Sequence, residues 1–230
     1  MTTALPPGQR ERPDFPRFGL TPFAKRFPTQ TEHIHISVSG LTEAVIEIGR
    51  EQLDALERVE QTSDFHCVTT WSHLGLHWSG YRFKDIYDRL IAPAVIDPTQ
   101  VKVLILKAQD GARTTLLLED ALADDVLLAD QLNGEPLDVA HGGPVRLVAP
   151  SQYGYKSAKY LHKIELCPDD STFRPAAFRF MDHPRGRVAL EERGRIFPGW
   201  LLRRVYRPMI GPTVRLFARE LTRFHANRGE

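Results

Sequence analysis

The sequence predicts an α+β fold, mixed and rich in strands. Short apolar runs bounded by turn residues outnumber helical patterns along the 230 residues, and single helices separate them. Seventeen prolines and sixteen glycines favour short elements and turns over long helices. The hydrophobic fraction of 42% is ordinary for a globular protein, and a chain of this length can bury roughly 70% of its unfolded surface.

The expected elements follow one another without a visible repeat period. Alternating apolar and polar residues ending in glycine predict a strand at 33–40, and helical spacing predicts a helix at 50–58. A strand at 59–68 delivers Cys67 at its end, and a helix is expected at 82–91. Further strands are expected at 101–108, within 114–122 and 125–137 (with a one-turn helix and an Asn133-Gly134 turn), at 145–150 and at 159–166.

We expect three parts in the chain. Residues 1–30 are rich in proline yet hold four phenylalanines, which predicts an N-terminal arm lying on the body of the protein. Residues 31–185 form the main domain. Residues 186–230 form an arginine-rich C-terminal segment, in which arginines and apolar residues interleave at roughly helical spacing with prolines breaking it. This segment packs on the domain with solvated arginines or contacts an acidic partner or a membrane surface.

Charge and composition exclude several classes of protein. The net charge of +1 gives no overall field for nucleic acid. Two cysteines a hundred residues apart do not form a disulfide framework. The first residues show neither an apolar signal region nor a pair of adjacent arginines, and no run of 18 apolar residues occurs. We therefore expect a cytoplasmic protein without a transmembrane span.

The segment SDFHCVTTWSHLGLHW (63–78) places Cys67 among His66, His73 and His77. Four interpretations compete. Cys67 fills the core, binds zinc with the histidines, acts as a nucleophile, or ligates a transition metal whose other ligands a cofactor supplies. A zinc site usually needs a second nearby cysteine, which is missing here. A nucleophile needs a base, but His66 points to the opposite face of the strand.

A second motif, HGGPVRLVAPSQYGYKSAK (141–159), has the composition of an anion-binding cradle. Its glycines allow close approach of the backbone. Arg146 offers a planar pair of donors, Lys159 a point charge and Ser157 a hydroxyl. Such groups bind a phosphate, although a basic surface turn would show the same composition.

Together the two motifs resemble the sulfite oxidase family of molybdopterin-dependent oxidoreductases. FHCVTTWSHLGLHWSGYRFKDI (65–86) is similar to that family's molybdenum-ligand segment. HGGPVRLVAPSQYGYKSAKYLHKIEL (141–166) is similar to its pterin-phosphate segment, and DFPRFGL (14–20) resembles an early segment that covers the pterin. The resemblance spans about 14–185 and implies a molybdopterin-binding domain with the family's strand-rich fold.

The resemblance implies an enzyme with one molybdenum-molybdopterin cofactor per chain. Cys67 would bind molybdenum, and the enzyme would transfer an oxygen atom to or from a small S- or N-oxide type substrate. It would exchange electrons with an unknown electron-transfer partner. A further cofactor contact is expected near the end of the strand at 101–108. The cofactor-binding residues implied by the motifs are Asp14, Arg17, Phe18, His141, Arg146, Ser157, Ala158 and Lys159.

The chain also departs from the family pattern. Too few residues follow position 185 for the C-terminal immunoglobulin-like domain that forms the dimer in sulfite oxidases, and no haem-binding domain is visible. Size and motif order are closer to the bacterial catalytic subunits that reduce methionine sulfoxide. We therefore expect a monomer. The rival hypothesis is a non-catalytic binding module that uses the basic C-terminal segment on an acidic partner or membrane surface.

The remaining candidates lie beside these motifs. Tyr153 is assigned a catalytic role lining the substrate path, with packing as the alternative. His73 and His77 are expected in a loop after Cys67, either as ordinary loop residues or steering the substrate. Cys167 lacks a motif partner and is expected to be structural.

Overall fold

The computed structural model describes residues 5–176 and 179–229. It contains two β-sheets with short helices beside them and two helices at the C-terminal end, which confirms the α+β prediction. The strands are β1 (Arg10–Glu11), β2 (His35–Gly40), β3 (Ile46–Gly49), β4 (Arg58–His66), β5 (Trp71–Arg82), β6 (Val103–Ala108), β7 (Arg113–Leu117), β8 (Leu127–Leu132), β9 (Glu135–Pro136), β10 (Arg146–Val148) and β11 (Leu161–Cys167). The helices are α1 (Arg50–Asp54), α2 (Phe83–Ile86), α3 (Leu118–Ala121), α4 (Gly199–Tyr206) and α5 (Ile210–Arg228).

The first sheet is organised around the long strand β5. Strand β4 runs antiparallel to β5, from the pair Arg58 and Tyr81 to the pair His66 and Ser72. On its other side β5 pairs with β8, which pairs in turn with β10, while β1 adds two parallel residues. The β4–β5 turn, which carries Cys67, therefore belongs to the same sheet as β10, the strand within the predicted anion-binding cradle.

The second sheet has the order β3-β2-β11-β6-β7, with β2 and β11 parallel and the other neighbours antiparallel. Buried side chains of both sheets, such as Ile36, Leu104 and Leu147, form a common core. Alternation along each strand directs one row of side chains into this core. Cys167 packs in a smaller cluster with Phe173 and aliphatic residues of β6, as expected for a structural cysteine.

The prediction of a loop after Cys67 is wrong for its two histidines. His73 and His77 lie in β5, opposite Phe65 and Thr62 of β4. Their ring Nδ1 atoms lie within hydrogen-bond distance of the carbonyl of Arg12 and the hydroxyl of Thr62, at 3.0 and 2.8 Å. The turn needs only the four residues 67–70, so the strand resumes at once.

The C-terminal segment forms α4 and α5, joined by the 3-10 turn Arg207–Met209. Pro208 lies in that turn and Pro212 in the first turn of α5, where the backbone nitrogen needs no intrahelical acceptor. Helix α4 buries Leu202 and Tyr206. Within the described residues, no helix is long and apolar enough to cross a membrane.

Candidate active site

Cys67 occupies the first position of the β4–β5 turn. Its backbone N–H donates to the carbonyl of Trp71 at 2.8 Å, and its own carbonyl accepts from the N–H of Thr70 at 3.0 Å. Its Sγ lies 3.1 Å from the hydroxyl of Thr69. Burial raises the pKa of the thiol, while the hydrogen bonds of Thr69 and the positive charges of Arg193 and Lys159 act in the opposite direction.

Two distant side chains hold this turn in place. The amide of Gln9 donates to the carbonyl of Cys67 at 3.0 Å and accepts from the hydroxyl of Ser72 at 3.1 Å. The guanidinium of Arg193, fully buried, donates to the carbonyl of Val68 at 2.6 Å. The backbone around the thiol is therefore fixed from both ends of the chain.

The thiol lines a cavity of about 250 Å³. The β4–β5 turn, the segment after β10, the N-terminal arm and the C-terminal helices all contribute to its wall. Of the residues predicted from the motifs, Cys67, Arg17, Phe18, Ser157, Ala158 and Lys159 lie on this wall. Aromatic side chains supply much of the rest, namely Phe15, Phe23, Phe65, Trp71, Tyr155, Tyr160, Tyr206 and Phe217.

Lys159 brings a buried amine to the wall. Its Nζ donates to the carbonyl of Ala140 at 2.8 Å and forms no ion pair within the described residues. Burial, followed by the charges of Arg146 and Arg17, lowers the pKa of Lys159 to about 7. A bound dianion would reverse this trend, because a nearby negative charge favours the ammonium form.

Arg146 lies behind the wall and is fully buried. Its guanidinium donates to the carbonyls of His141 at 2.8 Å and Ser157 at 3.3 Å, and lies 5.1 Å from the ring centre of Trp78. Burial lowers the pKa of Arg146 to about 10. It therefore stays charged at neutral pH and has no carboxylate partner within the described part of the chain.

The backbone at Gly142 passes close to both cations. Its φ of +112° lies outside the range that other residues readily adopt, and a Cβ there would stand 3.1 Å from the Cβ atoms of Arg146 and Lys159. Next to it, the ring of His141 contacts Asp138 through Nδ1 at 2.7 Å and the carbonyl of Phe15 through Nε2 at 2.8 Å. His141 thus ties the arm to the cradle from a position off the cavity wall.

The arm reaches the cavity through Arg17 and Phe18. Arg17 is buried and donates to the carbonyls of residues 23, 24 and 26, so it shapes the turn that follows. Phe18 stacks on Phe217 of α5 with ring centres 6.3 Å apart and meets Trp71 edge-on at 5.6 Å. The arm and α5 therefore form one aromatic wall.

Like His141 and Arg146, the predicted site residues Asp14 and Tyr153 do not lie on the cavity wall. Asp14 is exposed and forms an ion pair with Arg12 at 2.6 Å. Tyr153 is fully buried, with the guanidinium carbon of Arg193 4.9 Å from its ring centre, and burial raises its pKa to about 12. Tyr153 is placed to support Arg193, and through it the turn of Cys67.

The sequence motifs also left site residues unassigned. Asp110 follows β6 and lines the cavity, where burial raises the pKa of its carboxyl. It occupies the region in which a further contact was expected but not placed, and its Asp110-Gly111 turn is the signal that could have identified it. Gln9 and Arg193 carry no local signal, because their partners lie 58 and 125 residues away.

The buried thiol and the two buried cations beside the cavity define a site suited to an anionic metal cofactor, and the comparisons with known proteins identify the class. The model of the oxidoreductase molybdopterin binding domain family matches residues 24–173. The chain therefore belongs to this family. It is an oxidoreductase with a molybdenum-molybdopterin cofactor, as the resemblance to the sulfite oxidase family implied.

Individual relatives extend this result. The uncharacterized oxidoreductase YuiH of Bacillus subtilis is 35% identical over 168 residues, which cover 72% of this chain and 80% of that protein. The protein-methionine-sulfoxide reductase catalytic subunit MsrP of Campylobacter jejuni is 24% identical over 70% of this chain and 62% of its own. The crystal structure of the sulfane dehydrogenase SoxCD of Paracoccus pantotrophus shares the fold, with a TM-score of 0.51 and 21% identity over 59% of this chain and 38% of that one.

The residues present fit this cofactor. A buried thiol faces the cavity, and a soft thiolate is a suitable ligand for molybdenum. Arg146 and Lys159 are buried cations whose partners are carbonyls, so a phosphate can supply the missing negative charge. The zinc alternative has less support, because the described residues contain no group of three or more histidine, cysteine or acidic side chains that could hold a metal.

Proposed function

We propose that this enzyme transfers an oxygen atom between the molybdenum centre and a small neutral substrate, as a reductase of an S-oxide. The single observation that carries the proposal is the buried Cys67 thiol on the wall of an aromatic cavity. Relatives support the reaction class, because MsrP is named for methionine sulfoxide reduction and SoxCD for sulfane dehydrogenation. N-oxides and the reverse reaction belong to the same class.

Named residues take separate roles in this proposal. Cys67 would ligate molybdenum, and Lys159 with Arg146 would neutralise the phosphate of the pterin. Ser157 and Ala158, which line the cavity, would contact the cofactor. The bound cofactor supplies the two-electron oxygen-transfer chemistry itself.

The remaining predicted cofactor contacts hold the arm over the site. Arg17 and Phe18 do so on the wall itself, and His141 does so through its bond to the carbonyl of Phe15. Asp14 contributes only through Arg12, its ion-pair partner.

The wall around Cys67 favours a neutral substrate. The apolar or uncharged residues Phe65, Val68 and Trp71 line the cavity together with Cys67. Two carboxyl groups, Asp110 and Asp182, share the wall with its cations. Burial raises the pKa of both carboxyl groups, and Arg17, Arg113 and Lys159 are the cations of the wall, so the lining has no excess of negative charge. The choice of a neutral sulfoxide rests instead on the aromatic rings, against which its apolar body can pack.

The second contribution of the protein to the proposed reaction is to exclude water from the cavity. Phe15, Phe18 and Phe217 line the cavity, and the stacked rings of Phe18 and Phe217 join the arm to α5. Beside Cys67, the hydroxyl of Thr69 is a polar donor that could orient the substrate oxygen. Reduction of a sulfoxide consumes two electrons and two protons and releases water, so an electron-transfer partner must supply the electrons.

The test is a redox screen of the molybdenum-loaded protein. With reduced viologen as the electron source, we expect oxidation of the dye on addition of dimethyl sulfoxide or methionine sulfoxide. With sulfite and ferricyanide we expect a much slower reaction. Rapid sulfite oxidation without sulfoxide turnover would overturn the assignment. The Cys67→Ser variant, with its molybdenum content measured in parallel, serves as the inactive control.

A further inference from the structure

An apolar surface lies beside the cavity on the outside of the protein. Six of the ten large apolar side chains that are exposed in the described residues fall within 196–209. Their exposed fractions run from 37 to 69%. A concentrated patch of this kind marks an interaction surface, whereas scattered single residues would not. We call it the apolar stripe, formed by Ile196, Phe197, Trp200, Leu201, Val205 and Met209.

The stripe continues along the helices as a row of basic residues. The opposite side of the same helices is buried, through Leu202, Tyr206 and Phe217. Steps of three or four residues, the spacing of one helical face, connect the exposed positions. In order they are Phe197, Leu201, Val205, Pro208, Pro212, Arg215, Arg219 and Arg223.

The charge of this segment differs in sign from that of the rest of the chain. Residues 193–230 contain nine arginines and two glutamates, a formal charge of +7. Residues 1–192 contain 21 basic and 27 acidic side chains, a formal charge of −6. Glu220 pairs with both Arg219 and Arg223 at 3.0 Å, which leaves a surplus of positive charge on α5. The C-terminal segment is therefore the part of the chain whose net charge favours an anionic partner.

We propose that this face binds the surface of an anionic lipid bilayer. The apolar stripe would enter the boundary between headgroups and acyl chains, while the arginines of α5 lie on lipid phosphates. The Arg204 guanidinium lies 5.6 Å from the ring centre of Trp200. Aromatic rings and long cationic side chains of this kind are favoured at membrane interfaces.

A bilayer suits this surface better than an acidic protein does. The stripe stands on the outward face of a helix, and the basic row extends along the 19 residues of α5. The surface of an anionic bilayer is a continuous plane of negative charge, so it can contact the whole length of this basic row. The same helices supply Tyr206 and Phe217 to the cavity wall, so a bound bilayer would lie behind that wall.

Flotation of the full chain with lipid vesicles tests the proposal. We expect binding to an equimolar mixture of phosphatidylglycerol and phosphatidylcholine, little binding to phosphatidylcholine alone, and release at high salt. This readout does not depend on catalysis, so it is separate from the test of the proposed function. An acidic protein partner predicts no binding to either vesicle, and that result overturns the proposal.

Matched variants locate the contact. The double variant Leu201→Glu with Val205→Glu should reduce vesicle binding at least about tenfold, since each glutamate removes apolar contact and adds like charge to the lipid. The control double variant Val45→Glu with Ile96→Glu changes two exposed apolar residues far from the stripe in sequence and should bind normally. Equal effects of the two pairs would refute the location.

Tryptophan fluorescence gives a second measurement. Trp200 is 50% exposed, whereas Trp71 and Trp78 are buried at 3 and 2%. Vesicles of the anionic mixture should therefore shift the emission to shorter wavelength, and brominated lipid should quench it. The Trp200→Phe variant should lose this response. A response that persists in Trp200→Phe contradicts insertion of the stripe.

Discussion

The guanidinium of Arg193 donates a hydrogen bond to the carbonyl of Val68, 125 residues earlier and directly after Cys67. The same guanidinium donates to the carbonyl of Pro7 at 2.9 Å and pairs with Glu191 at 3.2 Å. One buried side chain thus ties the N-terminal arm, the thiol-bearing turn and the C-terminal segment together. A lysine cannot make all three contacts, because it lacks the planar fork of donors.

We expect Arg193→Lys to lower the free energy of unfolding by roughly 2 kcal/mol and to reduce retained molybdenum. The control is the Arg203→Lys variant, because Arg203 contacts the same Glu191 at 3.4 Å from a half-exposed position. That variant should cost less than about 0.5 kcal/mol. Urea unfolding and metal analysis measure both quantities, and similar losses in the two variants would show that Arg193 has no special role.

Replacing the thiol tests the metal ligand. We expect Cys67→Ser to purify with less than about a tenth of the wild-type molybdenum, because a neutral hydroxyl is a poor substitute for a soft thiolate. Cys167→Ser, at a buried position in a separate cluster, should keep its molybdenum. Metal analysis of both proteins decides the matter, and full occupancy in Cys67→Ser would remove the ligand assignment.

Lys159 makes the stability of the cofactor-free protein depend on pH. Its pKa is about 7 in the folded chain against 10.5 for an ordinary lysine, so the unfolded chain holds more protons between these values. Stability should therefore rise with pH in this window, by up to roughly 1 kcal/mol per unit. Urea unfolding at several pH values measures the slope.

In the Lys159→Met variant, the free energy of unfolding should no longer show the part of its increase with pH that begins near pH 7. Lys156, whose pKa burial lowers to about 8, should maintain a rise at higher pH. In the cofactor-loaded protein the phosphate favours the charged amine, so the slope should be smaller. An unchanged slope in Lys159→Met would show that this residue is not the group that titrates.

The Gly142 backbone offers a test of the cradle itself. We expect Gly142→Ala to cost roughly 2–3 kcal/mol and to lower cofactor occupancy, because the added methyl group is strained and presses on Arg146 and Lys159. Gly75→Ala shares the positive φ but meets nothing within 4 Å, and should cost only about 1 kcal/mol. If occupancy falls equally in both, the close approach at Gly142 is unimportant.

The local parts of this site could be predicted from the sequence. A strand that ends beside Cys67 is recognisable because strand residues alternate, and Lys159 with Arg146 stands out in a segment rich in glycine. The histidines of β5 were misplaced because Gly75 interrupts an otherwise regular strand. It has a φ of +68° and lies where the β4–β5 register shifts. A bulge of this kind has the composition of a loop.

The long-range parts could not be predicted. Gln9 and Arg193 act through backbone carbonyls, and a carbonyl partner leaves no residue type for a pattern to match. Tyr153 was placed beside the substrate by its position in a motif, but the fold turns its ring toward Arg193. Only the assembled sheet order decides which side of the segment after β10 faces the cavity.

The aromatic contact between Phe18 and Phe217 joins positions 199 residues apart in the sequence. Chains fold from the N-terminus as they are synthesised, so the sheets can form while α5 is still missing. The cavity acquires its last wall only after residue 217 has left the ribosome. Until then the order of assembly leaves an open side, through which a bulky pterin could enter before α5 packs against the arm.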